Sequence, residues 1–390
     1  MKILWTMSSV GLGHQVRDLV IIDKITENTD IKIDLLVPAP NTDKIPKKYN
    51  VLEESYMLKG SGRVYYQVFE KCRDKFDLLN FIKEDAKFHQ HDFAVTAAVL
   101  NTNQYSAIVG DEAFWLLSGF GMKWDKKRIP FIYITDFITM KAMDRSFSKK
   151  LFAWYKNWQF SMSGNVSDLS LFIGSINDIP DKKFGCFLPH QRQWAARYFQ
   201  FIHPVLRLDQ NLLEDQSRLR KRLHLPINKE IYLAVISGVG NYTDLQQLIS
   251  QTFKRLKMTA PEAYFIVVSP QKNGVYCDEH FAYLDNLDLY FKAADFVITQ
   301  TGYGKIVELS ALNKPFISIP LDYHFEQEYL LRLRIDNYQI GSQILLRKAN
   351  PEFLLNEINK QKERANSNIV VDDGTEAAKI IVDFVEKRQK

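Results

Sequence analysis

Short apolar runs recur along this chain, each followed by a glycine-bearing or acidic turn and then an amphipathic stretch. Lys2–Met7 reads as a strand, residues 8–14 (Ser-Ser-Val-Gly-Leu-Gly-His) as a turn, Gln15–Thr26 as a helix and Ile31–Val37 as a second strand. A β-turn-α-β opening of this kind belongs to a doubly wound sheet. Ala107–Val109 and Phe131–Ile134 read as further strands, and they run into Asp111 and Asp136. In open α/β sheets that carboxyl edge is where ligands bind. The pattern restarts with Ile231–Ile236, the turn Ser237–Asn241, a helix over Thr243–Leu256 and a strand over Tyr264–Val268. It repeats once more. Phe296–Ile298 is a strand, Gly302 and Gly304 open a short helix carrying Glu308, Asn313-Lys-Pro315 stops it, and Phe316–Ile319 is the next strand.

The restart predicts an α/β chain of two Rossmann-like domains, residues 1–203 and 204–368, joined where Pro204 interrupts Phe201–Arg207. Ligands are expected in the cleft between them. Residues 369–390 hold a helix over Gly374–Lys390, with Ala377, Ile380, Ile381, Phe384 and Val385 on one apolar face. That helix is expected to pack back on the first domain.

Length and composition are compatible with this plan. The chain has 390 residues, 46% hydrophobic and 25% charged, enough for two cores. A formal net charge of +5 suits anionic small ligands or an anionic lipid surface and does not call for nucleic acid. Cys72, Cys186 and Cys277 are far apart, so neither a zinc site nor a disulfide framework is indicated. A reducing, cytoplasmic setting is expected. No apolar stretch approaches the roughly 18–20 residues needed to span a bilayer, and the N-terminus reads as strand rather than signal peptide.

The chemistry concentrates at the predicted strand ends. Gly302 and Gly304 at a strand-to-helix turn expose backbone N–H groups that suit a diphosphate. Ser237, Gly238 and Gly240 form a second turn of the same kind, which by itself could equally be a structural turn. Glu308, one turn beyond Gly304, is placed to accept hydrogen bonds from ribose hydroxyls. Asp322, Glu326 and Gln327 follow the strand Phe316–Ile319, as sugar ligands or as a solvated helix cap. His14 follows the turn glycines Gly11 and Gly13 at a helix start. Near neutral pH a histidine can take a proton from a hydroxyl. Asp111 is the leading carboxylate to orient it and Asp136 the second candidate; Asp111 reads alternatively as a helix cap. In Met140–Phe160, Lys149, Lys150, Trp154 and Trp158 belong to an aromatic-basic mixture. It suits a membrane interface, an acceptor groove or plain core packing, and no RNA-binding signature accompanies it. There is no Asp-x-Asp triplet, so a metal on the diphosphate is not indicated. The first turn lacks the third glycine of a dinucleotide fingerprint, which disfavours NAD.

Taken in order, Gly11-Leu-Gly-His14, Pro204-Val-Leu-Arg207, Ser237–Asn241, Thr301–Glu308, Pro315, Pro320 and Glu326-Gln327 resemble the GT-B glycosyltransferases. The likeness is to the branch of the lipid-linked N-acetylglucosamine transferase, the diacylglycerol glycosyltransferases and the UDP-glycosyltransferases. The resemblance implies transfer of a sugar, with inversion and without a metal or other cofactor. The donor would be a nucleoside diphosphate sugar, UDP preferred, and the acceptor a hydroxyl, lipid or lipid-linked. It implies His14 as the acceptor-side base with Asp111 in support. Arg207 would lie near the phosphates, Tyr283 and Leu284 at the base, Glu308 at the ribose, and Glu326 with Gln327 at the sugar. Lys305 stands where that family often carries a hydroxyl residue, and a lysine there could reach the diphosphate. The implied location is cytoplasmic, peripheral at the membrane face, with no nucleic-acid partner. Two other readings stand beside it: a same-fold nucleotide-sugar 2-epimerase, and a non-catalytic sugar-nucleotide-binding subunit that recruits a membrane partner.

Overall fold

The computed structural model describes residues 1–8, 13–38, 42, 45–59, 78–143, 145–207, 214–236, 242–272, 274–363 and 366–388. It divides into two units, Met1–Arg207 with Asp372–Lys390, and Leu208–Val371. The first boundary therefore lies at Arg207 rather than 203, and the last at Val371 rather than 368. The reason is local pairing. Val205 bridges Asp372, and the Leu206 N–H donates to the Asp372 carbonyl at 2.9 Å, so the outgoing and returning segments hold each other within the first unit.

In the first unit the elements run β1 (Lys2–Thr6), α1 (Gly13–Asn28), β2 (Lys32–Leu36), β3 (Asn50–Val51), α2 (Leu78–Thr102), β4 (Ala107–Asp111) and α3 (Phe114–Gly121). They continue with β5 (Phe131–Thr135), α4 (Phe147–Met162), β6 (Leu169–Ile173), α5 (Gln191–Tyr198) and β7 (Gln200–Ile202). Among the described residues the sheet is parallel, in the order β3-β2-β1-β4-β5-β6-β7. Its central strands are near-continuous apolar runs because helices cover both faces. Ile3, Leu4, Trp5, Ile108, Val109 and Ile132 are all fully buried. The order reverses between β1 and β4, and that switch point is where doubly wound sheets open a crevice for ligands.

The second unit contains α6 (Gln216–Arg222), β8 (Ile231–Val235), α7 (Tyr242–Thr259), β9 (Tyr264–Val268), β10 (Glu279–Phe281), α8 (Leu287–Ala293), β11 (Phe296–Gln300) and α9 (Tyr303–Ala311). There follow β12 (Phe316–Ile319), α10 (Leu331–Tyr338), β13 (Ser342–Gln343) and α11 (Pro351–Lys362). Its parallel sheet has the order β10-β9-β8-β11-β12-β13, with the switch between β8 and β11. The predicted helix at Glu326 begins as a π-turn, Glu326–Leu330, before α10.

Helix α12 (Thr375–Lys387) belongs to the first unit, with Ala377, Ala378, Ile381 and Val385 buried. Gly374, which precedes it, has φ +89, and a Cβ there would lie 3.0 Å from Val20 Cγ1 and 3.3 Å from the Ile21 backbone. Glycine is needed there twice over, for its backbone angle and for the close approach to α1. Lys24–Asp373 (2.9 Å), His203–Glu376 (2.9 Å) and Arg388–Asp168 (3.1 Å) ring the docked helix.

Candidate active site

The switch point of the first unit carries a compact charged cluster. His14 sits in the first turn of α1, after β1. Asp111 ends β4, and Asp136 follows β5. His14 Nδ1 is 2.9 Å from Asp111 Oδ2, so the expected pair is formed. Asp136 is in the cluster but holds a different partner, the Arg17 guanidinium, at 2.9 Å. Arg17 also donates to Asp111 Oδ1 at 2.6 Å. Its Nη2 lies 2.8 Å from His14 Nδ1. An Nδ1–H that donates to Asp111 cannot also accept from Arg17. The close approach of the two cations is therefore held by the Asp111 carboxylate, which accepts from both.

Glu112 closes the other side of the imidazole, with Oε2 3.5 Å from His14 Nε2. Its backbone is left-handed, φ +49, unusual for a non-glycine residue and a form of strain that concentrates at functional sites. Burial lowers the His14 pKa. Glu112 and Asp111 raise it through their charges and the Asp111 hydrogen bond, against Arg17, and the balance carries it from 6.5 to about 10. The resting site thus holds an imidazolium at neutral pH. Asp18, fully buried and accepting from Trp5 Nε1 at 3.1 Å, is raised well above the usual carboxylate range by burial and by Asp111.

His14, Glu112 and Asp136 each bring one ligand atom within 4.8 Å of the others, a spacing that a divalent cation could bridge. The Arg17 guanidinium already supplies positive charge there through its bonds to Asp111 and Asp136. Arg17 and Glu112 are the members that sequence reasoning missed. The signal for Arg17 is its place three residues after His14, on the same face of α1. The signal for Glu112 is a second acid directly behind Asp111.

In the second unit, Gly302 caps α9 with no side-chain cap bond, leaving the helix start to be satisfied by something else. Gly302 is extended (φ −164), so it does not exploit glycine's conformational freedom. A Cβ there would meet Lys305 Cε at 3.3 Å: the lysine folds back over the helix N-terminus. A Cβ on Gly304 would meet nothing within 4 Å, which leaves room for an approaching group. Burial lowers the Lys305 pKa to about 8, against Glu308. Burial and Asp288 raise Glu308 to about 7, against Lys305. Leu284 packs on the core of this unit while Tyr283 is 69% exposed.

Glu326 and Gln327 lie in the π-turn, and such turns mark functional sites more often than ordinary helix does. Gln327 Oε1 accepts from the Leu321 N–H at 2.9 Å, so that oxygen shapes its own loop rather than standing free for a ligand. Buried Glu328 anchors the loop, accepting two bonds from Arg347 at 2.6 and 2.9 Å while Arg347 also reaches Asp322 at 2.9 Å. Arg207 is exposed at the end of the first unit. Gly13 starts α1, whereas Gly11, Ser237, Gly238 and Gly240 lie outside the described residues.

On α4, Lys150, Trp154 and Trp158 are exposed. Lys149 is a correction: only 8% exposed, it faces inward because it shares the buried side of the helix with Phe152, Ala153 and Lys156.

Residues 206–368 match the glycosyltransferase family 28 C-terminal domain, across the whole second sheet and the Gly302–Glu308 turn. Over the full chain, the solved glycosyltransferase of kitacinnamycin superposes with a TM-score of 0.63 at 13% identity, covering 98% of each chain. The chain has the GT-B glycosyltransferase fold. It is 27% identical, over 39% of its length and 47% of the relative's, to a protein of Elusimicrobium minutum. That relative is the UDP-N-acetylglucosamine–N-acetylmuramyl-(pentapeptide) pyrophosphoryl-undecaprenol N-acetylglucosamine transferase. An uncharacterized glycosyltransferase of Methanopyrus kandleri is 23% identical over 33% of the chain and 37% of the relative. The chain spans less than half the length of both curated relatives it matches. In GT-B terms the His14 cluster sits in the N-terminal unit, and the Gly302–Glu308 turn in the family 28 unit. No helix among the described residues is long and apolar enough to cross a membrane.

Proposed function

We propose that this protein transfers a sugar from a nucleoside diphosphate sugar, UDP preferred, to a hydroxyl acceptor that is lipid or lipid-linked, with inversion. The observation that carries the reading is the family 28 match across the unit holding Gly302, Lys305 and Glu308. The named activity of the Elusimicrobium relative supports the UDP-sugar donor and the lipid-linked acceptor.

On the donor side, the open space at Gly304 and the first-turn N–H groups of α9 receive the diphosphate. Lys305 adds a positive charge where negative charge grows on the leaving group, and no metal is required. Glu308 accepts from the ribose hydroxyls. Glu326 and the remaining polar atoms of Gln327 face the sugar, while Arg207, Ser237, Gly238 and Gly240 add contacts to the phosphates and Tyr283 and Leu284 hold the base. On the acceptor side, neutral His14 takes the hydroxyl proton through Nε2 while Asp111 fixes the ring and stabilises the imidazolium that forms. The acceptor oxygen then attacks the anomeric carbon opposite the departing diphosphate. The same Asp111 and Glu112 that would stabilise the product imidazolium also hold the resting one, so transfer is expected to quicken with rising pH. The protein acts in the cytoplasm, peripheral at the membrane.

Two measurements test this. A panel of nucleoside diphosphates and their sugars should raise the melting temperature only for the true donor class, since a ligand that binds only the folded state stabilises it. No shift with any of them refutes the donor reading. His14→Ala should then depress turnover by about 10²–10⁴-fold, the usual worth of general acid–base catalysis, with donor affinity unchanged. Wild-type turnover in that variant removes His14 as the base.

A further inference from the structure

Helix α4 buries one apolar face and exposes another. Phe147, Leu151, Trp154, Trp158 and Met162 are 79, 44, 38, 41 and 68% exposed. They recur every three or four positions and so form a single stripe. The helix contains Lys149, Lys150 and Lys156 and no acid. Lys150 is exposed, as are Lys141 and Arg145 just before the helix.

Beside this stripe lies a cavity of about 250 Å³, lined by residues that include Phe114, Leu117, Met122, Met140, Trp158 and Met162. Polar side chains in its wall have partners within the protein. Lys156 Nζ pairs with Asp85 at 2.5 Å, and His89 Nδ1 with the Ser118 hydroxyl at 3.2 Å. Burial lowers the His89 pKa to about 4, so it adds no charge. What the cavity offers a ligand is shape and apolar surface. A dry cavity of about 150 Å³ is enough for benzene, so this one has room for a chain segment. Trp158, Met162 and the 55% exposed Met122 belong both to the cavity wall and to the outer surface, so the cavity opens onto the stripe.

We propose that α4 seats on an anionic lipid surface and that one hydrocarbon chain of that lipid enters the cavity. Cations beside an apolar stripe favour anionic headgroups over an uncharged or acid-lined partner, because desolvated aromatic and aliphatic groups and lysines act together at that interface. The adjoining cavity favours a flexible chain over a flat docking partner. The inference gives the lipid half of the reading above a physical site, and its test involves neither donor nor transfer.

The full chain is sedimented with vesicles of phosphatidylcholine alone or with about a third phosphatidylglycerol, at low and high salt. Lipids carrying a nitroxide on the acyl chain report chain entry by quenching tryptophan. The expected result is at least about fivefold more binding to the anionic vesicles, reversed by salt. Quenching should be strong and reduced in Trp158→Phe, which removes the tryptophan in the cavity wall, with Trp154 on the stripe supplying the remainder. Gly121→Leu narrows the cavity from within. A Cβ there would meet only Val166 Cγ2, at 3.3 Å, so the neighbour must yield slightly. That variant should still sediment but lose the part of the quenching that chain entry adds beyond contact at the stripe, and Ser163→Leu, also in the wall, should behave alike; circular dichroism checks that both fold. Equal binding to both vesicles overturns the anionic surface. Quenching unchanged in both folded variants overturns the cavity. No vesicle binding overturns the whole proposal, and a nucleotide-sugar thermal shift that survives would leave the donor reading untouched.

Discussion

The charge state of His14 gives the sharpest test of the acceptor-side chemistry, and Glu112→Gln is the perturbation. Glutamine keeps the shape of the side chain and removes its charge, 3.5 Å from His14 Nε2. At that distance, with an effective dielectric of about 20, the attraction is on the order of 5 kcal/mol. Since one pKa unit is about 1.4 kcal/mol, losing it lowers the His14 pKa by about three and a half units at most. The value then moves from about 10 back toward 6.5. At pH 7 a group with pKa about 10 is neutral in about one molecule in a thousand, whereas one near 7 is neutral in about half. The weaker base is also less effective, so the net gain in kcat/KM at pH 7 is about tenfold rather than several hundredfold. The assays are an NMR titration of the histidine ring, assigned with His14→Gln, and a pH profile of kcat/KM. A His14 pKa that stays within about half a unit in Glu112→Gln refutes the electrostatic argument. A shifted pKa with an unshifted pH profile removes His14 as the base and leaves the electrostatics standing.

Other outcomes follow from the same geometry. Arg17→Met leaves Asp111 and Asp136 buried without their shared cation, and should lower unfolding free energy by about 3–5 kcal/mol in urea titrations. Donor affinity, measured calorimetrically, should rise from pH 6 to 7 as Glu308 ionises and fall above pH 8 as Lys305 discharges. Glu308→Gln should flatten the lower limb and, by removing the carboxylate that holds the Lys305 pKa up, move the upper limb to lower pH. Ile381→Ala, fully buried on α12, should cost about 2–5 kcal/mol, read as a lower melting temperature of the first unit.

Much of the fold is legible in the chain because parallel strands buried on both faces must be continuous apolar runs. Tyr264–Val268 and Phe316–Ile319 fall where the pattern places them. The His14–Asp111 pair is legible for a related reason: both follow strands that flank a switch point, and topology brings such ends together. What escaped depends on packing between distant segments. Nothing local says that Arg17 will bind two carboxylates about a hundred residues away, or that Lys149 turns inward while Lys150 does not. The hydrogen bond from the Leu321 amide to Gln327 belongs to a loop whose shape is set by Glu328 and Arg347, and Arg347 is far along the chain.

The return of residues 372–388 to the first unit bears on how the protein is made. The second unit, Leu208–Val371, is one uninterrupted stretch and can fold as soon as it has left the ribosome. The first unit begins earlier but waits longer. Its α1 surface, including Val20 and Ile21 beneath Gly374, stays uncovered until the final helix has been synthesised. Synthesis order and folding order are therefore inverted for the half that carries His14. A released fragment lacking residues 372–390 should hold a protease-resistant second unit and a protease-sensitive first one.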